Sequence, residues 1–159
     1  MPWPEILKWL HVLGAAVLFG TGAGIAFFML MAHRTRDPHI IAHVARTVVV
    51  ADTLFTATAV VAQPLTGVLL ALVVGWKLTD GWIIASIGLY VLTGVFWLPV
   101  VWIQIRLQRL AEEAARHRRG LPDAYFRLFR IWFWCGFPAF AAVLAIFWLM
   151  IVKPPFSIL

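Results

Sequence analysis

The sequence predicts an all-α, polytopic membrane protein with four transmembrane helices in an antiparallel bundle. Composition is the first reason. Of 159 residues, 63% are hydrophobic and 13% are charged, roughly half the charged share of a typical soluble domain, and the mean hydropathy is +0.92. The second reason is length. Four apolar stretches, roughly 5–32, 40–74, 82–110 and 123–152, each exceed the roughly 20 residues that cross a bilayer core. They use nearly the whole chain, so residues 1–159 read as one four-helix transmembrane domain.

Each element has its own boundary signals. The start, Met1-Pro2-Trp3-Pro4-Glu5, lacks the basic region of a signal peptide, so the first stretch reads as a retained helix, with Trp3 and Trp9 suited to the interface. It breaks at His33-Arg34-Thr35-Arg36-Asp37-Pro38. Asp37 is a good N-cap for the second helix and Pro38 fits its first position. That helix is longer than the membrane needs and runs to about Val74, before Gly75. The third starts near Trp82, turns charged after Ile105, and stays helix-favouring through Arg116 until Gly120 and Pro122 stop it. The fourth runs from about Asp123 towards Lys153. Pro64, Pro99 and Pro138 fall inside spans, where each removes a backbone hydrogen bond and predicts a kink.

The basic residues are distributed asymmetrically. Arg34, Arg36 and Arg46 lie around the first loop. Arg106, Arg109, Arg116, Arg118, Arg119, Arg127 and Arg130 lie around the third. Lys8, Lys77 and Lys153 are all that the other side carries. The positive-inside rule places the Arg-rich loops in the cytoplasm and both termini on the non-cytoplasmic side of a multi-pass membrane protein. The formal net charge of +6 therefore sets topology and meets anionic headgroups. It does not predict a nucleic-acid partner, because no surface domain is left to carry a reading element. Cys135 has no second cysteine to pair with and reads as a small buried hydrophobe.

Polar residues inside spans are costly and mark candidate sites. His11 lies one to two turns inside the first helix, and helical spacing puts Gly14, Ala15, Leu18 and Gly22 on its face. A haem needs an axial imidazole and a helix surface without bulk beside it, which makes His11 a candidate haem-iron ligand and Gly14 and Gly22 a candidate porphyrin face. Close helix packing would use the same small residues. His33 is about 33 Å farther along the helix, too far to share an iron with His11. Met150, in the outer part of helix four, is a candidate distal ligand. Asp52 lies deep in helix two with Thr56 and Gln63 near its face. A buried carboxylate needs partners, and Arg106 and Arg130 are at compatible depths, giving an expected buried polar network of Asp52, Gln63, Arg106 and Arg130. That network reads either as a structural lock or as a proton relay or substrate clamp. His39 and His43 sit four apart at the start of helix two, an incomplete metal site that also reads as polar residues at a membrane boundary.

The segments Leu10-His11-Val12-Leu13-Gly14 and Phe19-Gly20-Thr21-Gly22 resemble the start of the DUF2269 family (a domain-of-unknown-function family) of bacterial integral membrane proteins. So do Ala51 to Thr56, Gln63 to Gly67, Trp97 to Arg106 and Phe147 to Met150. More remotely, the first helix is similar to those of the haem-containing membrane protoporphyrinogen oxidase and of copper-resistance protein D. In the oxidase a Leu-His pair on that helix is associated with b-type haem, with a second histidine at its end, and His11 and His33 stand at nearly that spacing. The oxidase's Pro-Arg pair is absent, since Gly24-Ile25-Ala26-Phe27-Phe28-Met29 is wholly apolar. The resemblance implies haem b at His11 and an electron-transfer or oxidoreductase role. It also implies an alternative, transport or metal handling of the copper-resistance kind. A structural or assembly subunit, acting as a homo-oligomer or within a larger membrane complex, is a third reading.

Overall fold

The computed structural model describes residues 2–155. It contains four long helices, and among the described residues there is no strand. The first helix, α1, spans Trp3–Thr35, with Pro4 in its first turn, where the missing N–H costs nothing. Arg36 ends it in the left-handed conformation (φ 58°). The second, α2, spans Pro38–Val74. Asp37 caps it, accepting a 2.8 Å hydrogen bond from the His39 N–H, and Gly75 ends it at φ 88°, a conformation glycine adopts freely. The third, α3, spans Gly81–Arg116, and the fourth, α4, spans Asp123–Val152. Helix α3 extends past the apolar limit near residue 110, so its last turns carry charge.

All four helices are long and apolar enough to cross a membrane, and the surface they present is itself apolar. Leu98, Trp134 and Ile151 are 64%, 65% and 82% exposed. Such a surface is stable against lipid tails and not against water, so the chain is an integral, multi-pass membrane protein in a lipid bilayer.

Helices α3 and α4 pack together along most of their length, and α1 lies against α2, while α1 and α4 touch only sparingly. The main core is at the Arg-rich end, where Met29, Ile41, Leu107, Ala111 and Tyr125 are fully or almost fully buried. A smaller cluster at the opposite end joins Ala71, Trp82, Ile83 and Leu149. Outside the apolar layer, Arg46 on α2 pairs with Glu112 on α3 at 2.7 Å, and Gln108 donates to the same carboxylate at 3.1 Å. The Arg46 side chain is 64% exposed, and exposed pairs contribute little. Glu112→Gln is therefore expected to lower stability by less than about 1 kcal/mol, measured as the thermal unfolding midpoint in detergent.

Helix α2 is not uniform. Asp52–Thr56 forms a π-helical turn, one residue wider than the α-helical turns around it. Farther on, Pro64 has no N–H to give to the carbonyl of Val60. The Tyr90 hydroxyl of α3 donates to that carbonyl instead. The proline's cost is thereby offset by a neighbouring helix, and the same bond fixes α3 against α2.

Candidate functional site

The densest polar contacts between α1 and α2 surround His11. Thr66 donates its hydroxyl hydrogen back to the Ala62 carbonyl at 2.8 Å, one turn earlier. Its oxygen is then free to accept, and His11 Nδ1 lies 3.0 Å from it. The arrangement assigns the proton to Nδ1 and leaves the Nε2 lone pair uncommitted. The ring also rests on Gly67. A Cβ added there would lie 3.0 Å from His11 Cε1 and 3.6 Å from Nδ1, so any larger residue would have to push the imidazole back. Gln63, buried at 7% exposure, donates from Nε2 to the His11 carbonyl at 3.1 Å. Thr66, Gly67 and Gln63 thus hold the imidazole from one side through one hydrogen bond, one close approach and one backbone tie.

This cradle is the arrangement that metal-bound histidines use, with one ring nitrogen donating to a fixed acceptor and the other facing the metal. Thr66 and Gly67 therefore hold the His11 ring as an axial ligand would be held, with Nε2 3.8 Å from the Cβ position of Gly67. The porphyrin face expected at Gly14 and Gly22 does not form as one surface. The Gln63 side chain lies 3.4 Å from the Cβ position of Gly14 and fills that side, while Gly22 is exposed, with nothing within 4 Å of its Cβ position. The reason is helix pairing: a small residue on α1 admits a longer side chain from α2. Met150 packs beside the Trp82 and Leu149 cluster, to which α1 contributes no residue, and is not brought to His11.

Asp52 is buried at 5% exposure, and so is Thr56. The expected ion pairs with Arg106 and Arg130 are not formed. A donor from the neighbouring helix is Trp97 Nε1 of α3, at a long 3.5 Å from Asp52 Oδ1. The Arg106 guanidinium lies 5.5 Å over the Trp102 ring, and both arginines are exposed. Long cationic side chains leave the apolar layer for the interface instead of reaching inward. Of the expected network, Asp52 and Gln63 share the buried face of α2 with Thr56, and the arginines stay outside it. Thr56 Oγ1 and Gln63 Oε1 have no hydrogen-bond partner.

His39 and His43 are exposed, and among the described residues no group of three or more His, Cys, Asp or Glu side chains gathers to hold a metal ion. One histidine cluster is not anticipated by span-by-span reading. His33 stacks on Phe129 at 3.6 Å and 4° between planes, and its Nδ1 lies 3.3 Å from the hydroxyl of fully buried Tyr125. The signal for it in the sequence is the series Phe126, Phe129, Arg130, Phe133 at three- and four-residue steps on α4.

No curated protein and no solved structure matches the chain. The profile of one family, described as "predicted integral membrane protein", matches residues 5–154. That span takes in all four crossings and the His11 cradle, and the chain belongs to this family, DUF2269.

Proposed function

We propose that the protein binds haem b and serves electron transfer or oxidoreduction in the membrane, with His11 as an axial ligand. The observation that carries this reading is the His11 cradle, in which Nδ1 is bonded to Thr66, the ring is seated on Gly67, and Nε2 is the free nitrogen. Bound there, a haem would supply one-electron chemistry in a low-dielectric layer. This chain's own residues would fix the ring orientation through Thr66, raise the basicity of Nε2 through the Nδ1 hydrogen bond, and exclude water by burial between α1 and α2. The arginine distribution supports placing the Arg-rich end in the cytoplasm, and the family resemblance supports a bacterial inner membrane.

A separate observation favours a second reading. Asp52, Thr56 and Gln63 line one buried face of α2, and two of their oxygens lack partners. Buried polar atoms of this kind are tolerated where a proton or small cation passes, which supports transport or metal handling. One experiment separates the two readings. The detergent-purified protein should show a Soret band and, after dithionite, sharp α and β bands, with haem content reduced at least about ten-fold in His11→Ala. A colourless wild-type protein after haem-supplemented expression, or equal haem in the variant, overturns the haem reading and leaves the polar face of α2 as the site to pursue.

A further inference from the structure

At the Arg-rich end, a cavity of about 250 Å³ is lined by His33, Arg36, Phe126, Phe129, Arg130 and Phe133. No acidic side chain lines it. The one salt bridge among the described residues is Arg46–Glu112, so neither Arg36 nor Arg130 is paired with a carboxylate. Asp37, adjacent to Arg36, is already engaged as the cap of α2. Arg36 stands at φ 58°, where glycine is the usual occupant. From there its guanidinium reaches 4.9 Å from the centre of the Phe126 ring. His33 uses Nδ1 towards Tyr125, so Nε2 is the ring nitrogen left for an occupant. Two forked cations and an imidazole therefore face three phenyl rings.

A shallow, open groove of about 370 Å³ also borders Arg130, lined by Phe96, Arg130, Ile131, Trp134 and Cys135. Apart from Arg130 its walls are apolar, and it lies between α3 and α4. The cavity and the groove share only Arg130. A phosphate group suits guanidinium forks, and a hydrocarbon chain suits the adjacent groove. A free phosphate would use the cavity alone, whereas a phospholipid has chemistry for both. A zwitterionic headgroup would bring an ammonium towards two uncompensated arginines, and an anionic one would not.

We propose that this bipartite site binds one anionic phospholipid, with its phosphate at Arg36 and Arg130 and an acyl chain in the groove along Ile131, Trp134 and Cys135. The site is independent of His11 and of any haem.

The test is native mass spectrometry of the full chain released from detergent micelles doped with phosphatidylglycerol, phosphatidylcholine or inorganic phosphate. Phosphatidylglycerol should be retained over phosphatidylcholine by on the order of ten-fold. Arg36→Gln with Arg130→Gln should abolish that preference, while Arg109→Gln with Arg119→Gln, equal in charge, exposed at the same end and outside both linings, should keep it. Cys135→Phe, which fills the groove and removes no charge, should weaken lipid retention. Should the double glutamine variant misfold by circular dichroism, Arg36→Lys with Arg130→Lys keeps the charge and removes the fork, and should lower retention of both lipids while keeping the preference between them. Three results overturn the proposal. One is equal retention of the two lipids, and another is equal loss in the Arg109 and Arg119 control, which would mean a diffuse field. The third is displacement of lipid by millimolar inorganic phosphate with Cys135→Phe silent, which would mean a phosphate site only.

Discussion

Replacing Tyr125 with alanine should destabilise the protein by about 3–5 kcal/mol, the range for removing a buried aromatic ring. Tyr125 has no exposed surface and touches His33, Phe126 and Phe129 with ring centroids 5.5 to 6.2 Å apart. Its position matters as much as its size. Helices α1 and α4 meet sparingly, and much of what joins them is aromatic, with His33 against Tyr125 and Phe129 at one end and Phe19 against Phe140 and Phe147 farther along. Removing the Tyr125 ring opens a void where α1 has few other contacts with α4. Tyr125→Phe keeps the ring and loses only the bond to His33, a loss of about 1 kcal/mol. Thermal unfolding in detergent should therefore rank wild type, then Phe, then Ala, with the larger gap between Phe and Ala. Equal losses in the two variants would mean that the hydroxyl, and not the ring, holds the helices.

The second large effect is expected at Gly67. Leucine there puts a Cβ 3.0 Å from His11 Cε1, and the rest of the side chain has to displace the imidazole or part the helices. Overpacking of this kind costs about 1–3 kcal/mol, and breaking the His11 to Thr66 bond adds about 1 kcal/mol. Because one imidazole causes both losses, removing it should relieve them. His11→Ala with Gly67→Leu should be more stable than the sum of the single changes by roughly 1–2 kcal/mol. Additive losses in unfolding measurements on the four proteins would show that Gly67 and His11 do not bear on one another. On the proposed role of His11 as a haem ligand, haem content measured in the same preparations should fall in Gly67→Leu even though His11 is retained.

The four crossings are legible in the sequence because a membrane span is a property of length and hydropathy, summed over some 20 residues and insensitive to any one of them. The caps are legible for the same local reason: Asp37 before Pro38, and Gly75 after Val74, act within one turn. His11 stands out as a polar residue in an apolar run. Its partners are harder to read, because Thr66 and Gly67 lie more than fifty residues away and their meeting depends on how two helices are rotated about their axes. That rotation also defeats the expected pairing of Asp52 with Arg106 and Arg130. Depth along the helices is compatible, but the arginines are on exposed faces, and Trp97 holds the position next to the carboxylate. For the same reason Gly14 is not an open platform, since Gln63 reaches over it from α2. The π turn at Asp52–Thr56 has no glycine or proline to announce it.

That turn has a consequence for how α2 tolerates length change. Along an α-helix, losing one residue rotates everything beyond it by about 100° relative to what precedes it. Such a loss near residue 60 would carry Thr66 and Gly67 off the side that meets His11. A π turn already holds one residue more than an α-helical turn, so excising one of Thr53, Leu54 or Phe55 would let the turn close into ordinary helix with both halves still in phase. The wide turn is thus the point in α2 where the chain can shorten by one position without uncoupling the His11 cradle from the packed half below it. What such a deletion would sacrifice is local, the present placement of Asp52 and Thr56 against α1 and Trp97.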